Sequence, residues 1–263
     1  MGDWGSGNDN ESMIASAMES YASSHPVQAI LTTGDNFYQD DPKEMMQPFQ
    51  WASSAGIEFW ITWGNHDVES PERIASVNTA FGNPPRWATI EWGDAEILIL
   101  DSNDVDSPAQ LSYLDSEMER IDVPTIVVFH HPPFSCSAHD DDEAVKAEWL
   151  PRFDDEVILV LSGHDHNYQR FEEDGVSYVV TGGGGRDLHE LDDCPTSHPP
   201  RIVGEEAHNF LIMTQDEHVL GVSAVGEAGE AIDALTIPLD SRNDQDASMP
   251  PRPVAGMRNP RPV

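Results

Sequence analysis

Ile158-Leu159-Val160-Leu161-Ser162-Gly163-His164-Asp165-His166-Asn167-Tyr168-Gln169-Arg170 is the stretch on which the reading of this chain turns. An apolar run, Ile158 to Leu161, leads into Gly163, the mark of a buried strand feeding a loop. His164 and His166 follow at alternate positions, and two such side chains just beyond a strand reach two neighbouring cations. The same order recurs elsewhere in the chain. Thr125 to Phe129 runs into His130 and His131, Ile57 to Trp63 into Gly64, Asn65 and His66, and Val27 to Thr33 into Gly34 and Asp35, with Tyr38 three residues on. Asp3 stands at the very start.

Between these runs the apolar spacing is helical. Ile14, Ala17, Met18 and Tyr21 share one face of a helix over 11–23, and further helices are expected over 42–54, 71–80, 108–121 and 142–150. Strands are expected near 27–33, 57–63, 86–92, 95–101, 124–129 and 156–162, and the final third, to about Leu239, reads as antiparallel β-structure. Alternating β and α followed by a β-rich end implies an α/β protein with two sheets face to face and helices outside. In such sheets ligands bind beyond the carboxyl ends of strands, where four of the five segments sit.

The chain has 263 residues, with 48 Asp plus Glu against 13 Lys plus Arg and a formal charge of −35. Lys43 and Lys146 are its only lysines. That surface repels phosphate backbones and anionic lipid, so a nucleic-acid binder is not expected. Acidic excess with few lysines is also the pattern of proteins that stay soluble in concentrated salt, so a halophilic source is expected. No apolar run approaches the ~20 residues of a membrane helix, and no signal segment opens the chain. One domain is expected over 1–240, followed by a disordered Pro/Arg-rich tail over 241–263 that carries Arg242, Arg252, Arg258 and Arg261. Cys136 and Cys194 are either a disulfide joining two loops near the site or two free thiols.

Each segment offers a defined chemistry. Gly34 allows a sharp turn, after which the two oxygens of Asp35 can bridge two cations. Asn65 offers an amide oxygen to the second metal, His66 can point at a substrate, and Asp67 can orient His66 through a hydrogen bond. Gly182 to Gly185 lacks the Lys-Ser/Thr of a phosphate-cradling loop and reads as a tight turn near the site. Arg170 reads first as an anchor of its loop to a carboxylate and second as a holder of phosphate. His25, His189, His198 and His218 have no assigned role, and His208 reads as a packed residue at a strand start.

Together these residues resemble the calcineurin-like metallophosphoesterases and, within them, the purple acid phosphatase branch. Most of the superfamily opens with Asp-x-His, whereas this chain has Asp3-Trp4-Gly5. The purple acid phosphatase pattern replaces that lost histidine with a tyrosine three residues after the bridging aspartate, and Tyr38 stands there. The resemblance covers roughly 2–237 and implies a four-layer αββα sandwich. It makes Asp3, Asp35, Tyr38 and His166 the ligands of a first metal, and Asp35, Asn65, His130 and His164 those of a second. A phenolate suits Fe(III), so the implied cofactors are Fe(III) with a divalent Fe, Zn or Mn. His66 and, by its spacing from His130, His139 would hold phosphate and protonate the leaving group. Phe129 stands where the family commonly has Gly.

The implied activity is hydrolysis of small phosphate monoesters by a metal-bound hydroxide. A phosphodiesterase of the same superfamily and a non-catalytic acidic metal-binding protein are the alternatives. In the family an apolar strand precedes the Gly-Asp pair, and here it is missing from the sequence. Family members are often exported, which would suit a cysteine pair, and no protein partner is indicated.

Overall fold

The computed structural model describes residues 1–216 and 218–239, so the tail read at 241–263 lies outside the described residues. Helix α1 (Asp9–Ala22) begins where the Asn8 side chain accepts the Glu11 N–H, and β1 (Ala29–Leu31) follows. The single helix expected over 42–54 is two, α2 (Pro42–Met46) and α3 (Gln50–Ala55), joined by a 3-10 turn over Gln47–Phe49. Pro48 in that turn has no N–H to continue the helical ladder. Next come β2 (Glu58–Trp60), the short α4 (Asn65–Val68) and α5 (Pro71–Phe81). Helix α5 is bounded by the Ser70 hydroxyl at one end and by Gly82, at φ +72°, at the other.

The central portion comprises β3 (Ala88–Trp92), β4 (Ala95–Ile99), α6 (Pro108–Arg120), β5 (Thr125–Val128), α7 (Glu143–Glu148) and β6 (Val157–Ser162). Strands β7 (Tyr168–Glu173), β8 (Val176–Thr181), β9 (Arg201–Glu205), β10 (Asn209–Gln215), β11 (Val219–Gly226) and β12 (Ala231–Pro238) complete the described chain. Seven strands form one mixed sheet in the order β3-β4-β5-β6-β8-β7-β9. Most pairings in the final third are antiparallel as expected, but β8 joins β6 in parallel, because β7 folds back outside it.

Opposite the large sheet lie the parallel pair β1-β2 and the antiparallel set β10-β11-β12. Ile97, Val128, Leu159 and Val179 of the large sheet pack against Leu220, Val222 and Ile237 of the smaller set, forming the β–β core. Behind the large sheet, Val127 and Val160 meet Leu114 of α6 and Val145 of α7. Behind the smaller sheets, Ile30 and Phe210 meet Ile14, Ala52 and Val77 of α1, α3 and α5. The layers are therefore helix, sheet, sheet, helix.

Among the described residues the two smaller sheets do not join. A cavity of about 470 Å³ separates β1 from β10, with Trp60, Trp92 and Met1 on its walls. The backbone of Met1 and Gly2 nonetheless lies beside the sheets: Thr33 N–H donates to the Met1 carbonyl (3.0 Å) and Gly2 N–H to Thr181 (3.0 Å). On the site side, Cys136 and Cys194 form a disulfide across 58 residues, the first of the two readings open for them. It ties the loop after β5 to the loop after β8.

Candidate metal centre

Strands β1, β2, β5 and β6 all run towards one edge, and the residues just past them meet there with Asp3. Three of the five non-glycine residues with positive φ among those described are Asp3 (+58°), Asp35 (+49°) and His164 (+71°). Such backbone costs about 1–3 kcal/mol per residue and persists only where the surroundings hold it. Here they do. Trp4, fully buried against Phe49 with ring centroids 4.8 Å apart, donates its indole N–H to Asn36 Oδ1 (3.2 Å) and so locks the Asp3 turn to the Asp35 turn. Gly34, at φ +94°, lies under the His130 ring, where a Cβ would stand 2.4 Å from Nδ1.

Two donor sets result. In the first, Tyr38 Oη lies 3.1 Å from Asp3 Oδ1, 3.1 Å from Asp35 Oδ2 and 3.3 Å from His166 Nε2. In the second, His130 Nε2 lies 3.4 Å from Asp35 Oδ2, 3.0 Å from Asn65 Oδ1 and 3.2 Å from His164 Nδ1. Asp35 belongs to both, though not with one oxygen for each as the sequence suggested. Its Oδ1 accepts the His66 N–H at 2.8 Å, a first-turn amide of α4 with no partner inside the helix, and only Oδ2 faces the two sets.

These atoms fit cations. His166 Nδ1–H donates to the Asp187 carbonyl (2.7 Å) and His130 Nδ1–H to the Thr33 carbonyl (2.9 Å), so both rings turn an Nε2 lone pair to the centre. In neutral rings those lone pairs would face carboxylate and amide oxygens and be repelled, so either a proton on Nε2 or a cation lies between. Burial acts to lower the His130 imidazole, but the Asp35 carboxylate outweighs it and holds the ring at about 10. Burial, then the Asp3 and Asp35 charges, push the Tyr38 phenol far above its ordinary range. A cation placed among these carboxylates would offset the cause of that shift and favour the phenolate. Hard oxygens with imidazoles are a donor set for first-row metals.

A cavity of about 280 Å³ opens over the two sets, with His66 and His139 on its wall. His66 Nε2 is 4.0 Å from Asp35 Oδ2, while its Nδ1 meets Glu69 Oε2 at 2.9 Å. Asp67, read from the sequence as the orienting partner, does not touch the ring. Adjacent residues in a helical turn point apart, whereas i and i+3 share a face, so Glu69 takes that place. Asp67 is instead fully buried and accepts from Asn36 N (2.9 Å), Phe37 N (3.1 Å), Gly64 N (2.9 Å) and Asn36 Nδ2 (2.8 Å). It staples the Asp35 turn to the Asn65 turn. Asp67→Ala is therefore expected to cost about 3 kcal/mol by stranding buried donors; a denaturant midpoint unchanged from the parent would contradict this.

His139 donates its Nδ1–H to Asp165 Oδ1 (3.0 Å), and its ring lies 4.0 Å from that of His164. Sequence reasoning passed over Asp165, although it stands between two candidate ligands; it is buried and also accepts from the Ser135 hydroxyl and from His189 Nδ1 (3.2 Å). His189 and Arg186 were missed as well. The His189 ring stacks on His166 at 3.8 Å, and both residues line the cavity. Arg170 pairs with Asp233 (2.6 Å) on β12, and His208 meets the Gly183 carbonyl (3.2 Å) without lining the cavity.

The chain is similar to several known proteins. Purple acid phosphatase 17 of Arabidopsis thaliana is 25% identical over 245 residues, covering 77% of this chain and 72% of its own length. A protein of Synechococcus named as a probable cyclic nucleotide phosphodiesterase is 28% identical over 151 residues, covering 52% of this chain and 57% of its own. Among solved structures, GAP50, the anchor in the inner membrane complex of Plasmodium, superposes with a TM-score of 0.77 at 16% identity, covering 91% of this chain and 87% of that one. That likeness is one of fold. The family model for calcineurin-like phosphoesterases matches residues 1–168, a span that holds every donor from Asp3 to His166, and the chain belongs to that family.

Proposed function

We propose that the protein is a binuclear-metal phosphatase acting on phosphate monoesters, with Fe(III) beside Tyr38 and a divalent Fe, Zn or Mn ion as its neighbour. The observation that carries this reading is the Tyr38 hydroxyl at 3.1 Å from both Asp3 and Asp35, a hard oxygen donor set beside two carboxylates and suited to a hard cation. When bound, such a pair of cations lowers the pKa of a coordinated water and neutralises charge building on phosphate.

The chain's own residues do the rest. Asp3, Tyr38 and His166 would hold one cation and Asn65, His130 and His164 the other, with Asp35 shared between the two sets. The Glu69 carboxylate fixes His66 through Nδ1, leaving Nε2 on the site side to hold a phosphoryl oxygen and to deliver a proton to the departing alkoxide. Across the cavity, Asp165 fixes His139 in the same way. The acidic surface fits a protein that works in concentrated salt, and assays belong there.

A phosphodiesterase is the second reading, favoured by the Synechococcus relative's name. Metal-reconstituted protein is expected to turn over p-nitrophenyl phosphate with kcat/KM at least about tenfold above that for bis(p-nitrophenyl) phosphate, a difference of ~1.4 kcal/mol. The reverse ratio establishes the diesterase instead.

A further inference from the structure

The described arginines are nearly all engaged. Arg73, Arg86, Arg120, Arg152 and Arg170 pair with carboxylates, and Arg201 donates to the Cys136 carbonyl. Arg186 has no carboxylate partner among the described residues, in a chain with 48 acidic ones. Its guanidinium carbon lies 4.9 Å from the centroid of the Tyr38 ring, on the wall of the cavity over the two donor sets.

This position is built. Gly182 to Gly184 run so close beneath the first segment that a Cβ at Gly182 would stand 2.8 Å from Asp3 Oδ2, and one at Gly184 2.3 Å from the Gly2 carbonyl. Gly184 N–H donates to Gly2 (2.9 Å) and Arg186 N–H to the Asp3 carbonyl (3.0 Å), so the backbone of Arg186 is bonded to the segment that carries a metal donor. Three residues later His189 is held by Asp165, and beyond it lies the disulfide at Cys194. The side chain thus starts from a fixed point and ends, uncompensated, at the cavity.

A negative protein that admits an anion needs local positive charge at the entrance, because the long-range field opposes entry. Guanidinium also matches the oxygens of a phosphate with paired N–H donors. Resting on the phosphatase reading above, we propose that Arg186 is a substrate-binding residue that receives the non-bridging oxygens of the phosphate ester and favours the dianionic monoester over the monoanionic diester. Simple coverage of the Tyr38 ring is the competing account, and it makes different predictions.

The test compares metal-reconstituted parent, Arg186→Gln and Arg186→Lys. Arg186→Gln is expected to raise KM for p-nitrophenyl phosphate, and to weaken inorganic phosphate in calorimetric titration, by about 10- to 100-fold. kcat is expected to stay within about threefold, metal content and visible absorption to stay unchanged, and the bis-ester to lose less. Arg186→Lys is expected to recover part of the affinity. Phosphate affinity and KM within twofold of the parent in Arg186→Gln would overturn the proposal, as would loss of metal or colour, which would make Arg186 a prop for Tyr38. Should the parent hydrolyse neither ester, the phosphatase reading fails, while the phosphate titration still decides the role of Arg186.

Discussion

Asp35→Asn is expected to empty both metal sites and to lower kcat/KM by about 10³-fold or more. The exchange is chosen for its backbone: Asp35 sits at φ +49°, a region asparagine tolerates, so the turn survives. An asparagine Oδ1 can still accept the His66 N–H, which leaves the amide NH₂ where Oδ2 now faces Tyr38 Oη at 3.1 Å and His130 Nε2 at 3.4 Å. A donor in that place repels a cation. Two-metal Lewis-acid stabilisation is worth several kcal/mol, and each ~1.4 kcal/mol is a factor of ten in rate, which gives the magnitude. Metal analysis by mass spectrometry, with a thermal melt to show that the variant is folded, is the measurement. Two metals retained per folded chain would contradict the bridging role.

Asn65 and His66 are neighbours in sequence with different expected losses. Asn65→Ala removes the amide oxygen 3.0 Å from His130 Nε2 and is expected to cost the second metal, with activity falling in step and recovering at high metal concentration. His66→Ala is expected to keep both metals and to lower kcat by about 10²- to 10⁴-fold, the scale of a lost proton donor. Its ring is half-exposed and, among the described residues, its side chain hydrogen-bonds only Glu69, so it contributes little to the fold. Equal metal loss in the two variants would refute this division. Glu69→Gln, which keeps the shape of the His66 partner and removes its charge, is expected to shift the acidic limb of the kcat profile without altering metal content.

Much of this was legible in the sequence because the strands of the fold end at the site. A buried strand announces itself by an unbroken apolar run, and β5 and β6 gave His130, His164 and His166 directly. The same logic failed at Pro48, where helical spacing of apolar residues continued through a position that cannot donate a hydrogen bond. It failed again at Asp67, where composition and proximity suggested a partner for His66 but the direction of side chains in a single helical turn sends the two apart. Arg186 and His189 were out of reach for another reason. They follow four glycines in a stretch with no periodicity, and their positions are set by contacts with Gly2, Asp3 and Asp165, far away along the chain. Asp165 was visible between two histidines, yet its role appears only once His139 and His189 are seen to converge on it.

The central claim is that Asp3, Asp35, Tyr38, Asn65, His130, His164 and His166 hold two cations. Its most direct test is the number of metal equivalents bound per chain when metal-stripped protein is reconstituted with iron and zinc, with the visible tyrosinate-to-iron band recorded on the same sample. Two equivalents, with a band that disappears in Tyr38→Phe, is the predicted result. Folded protein that binds no metal tightly would contradict the account.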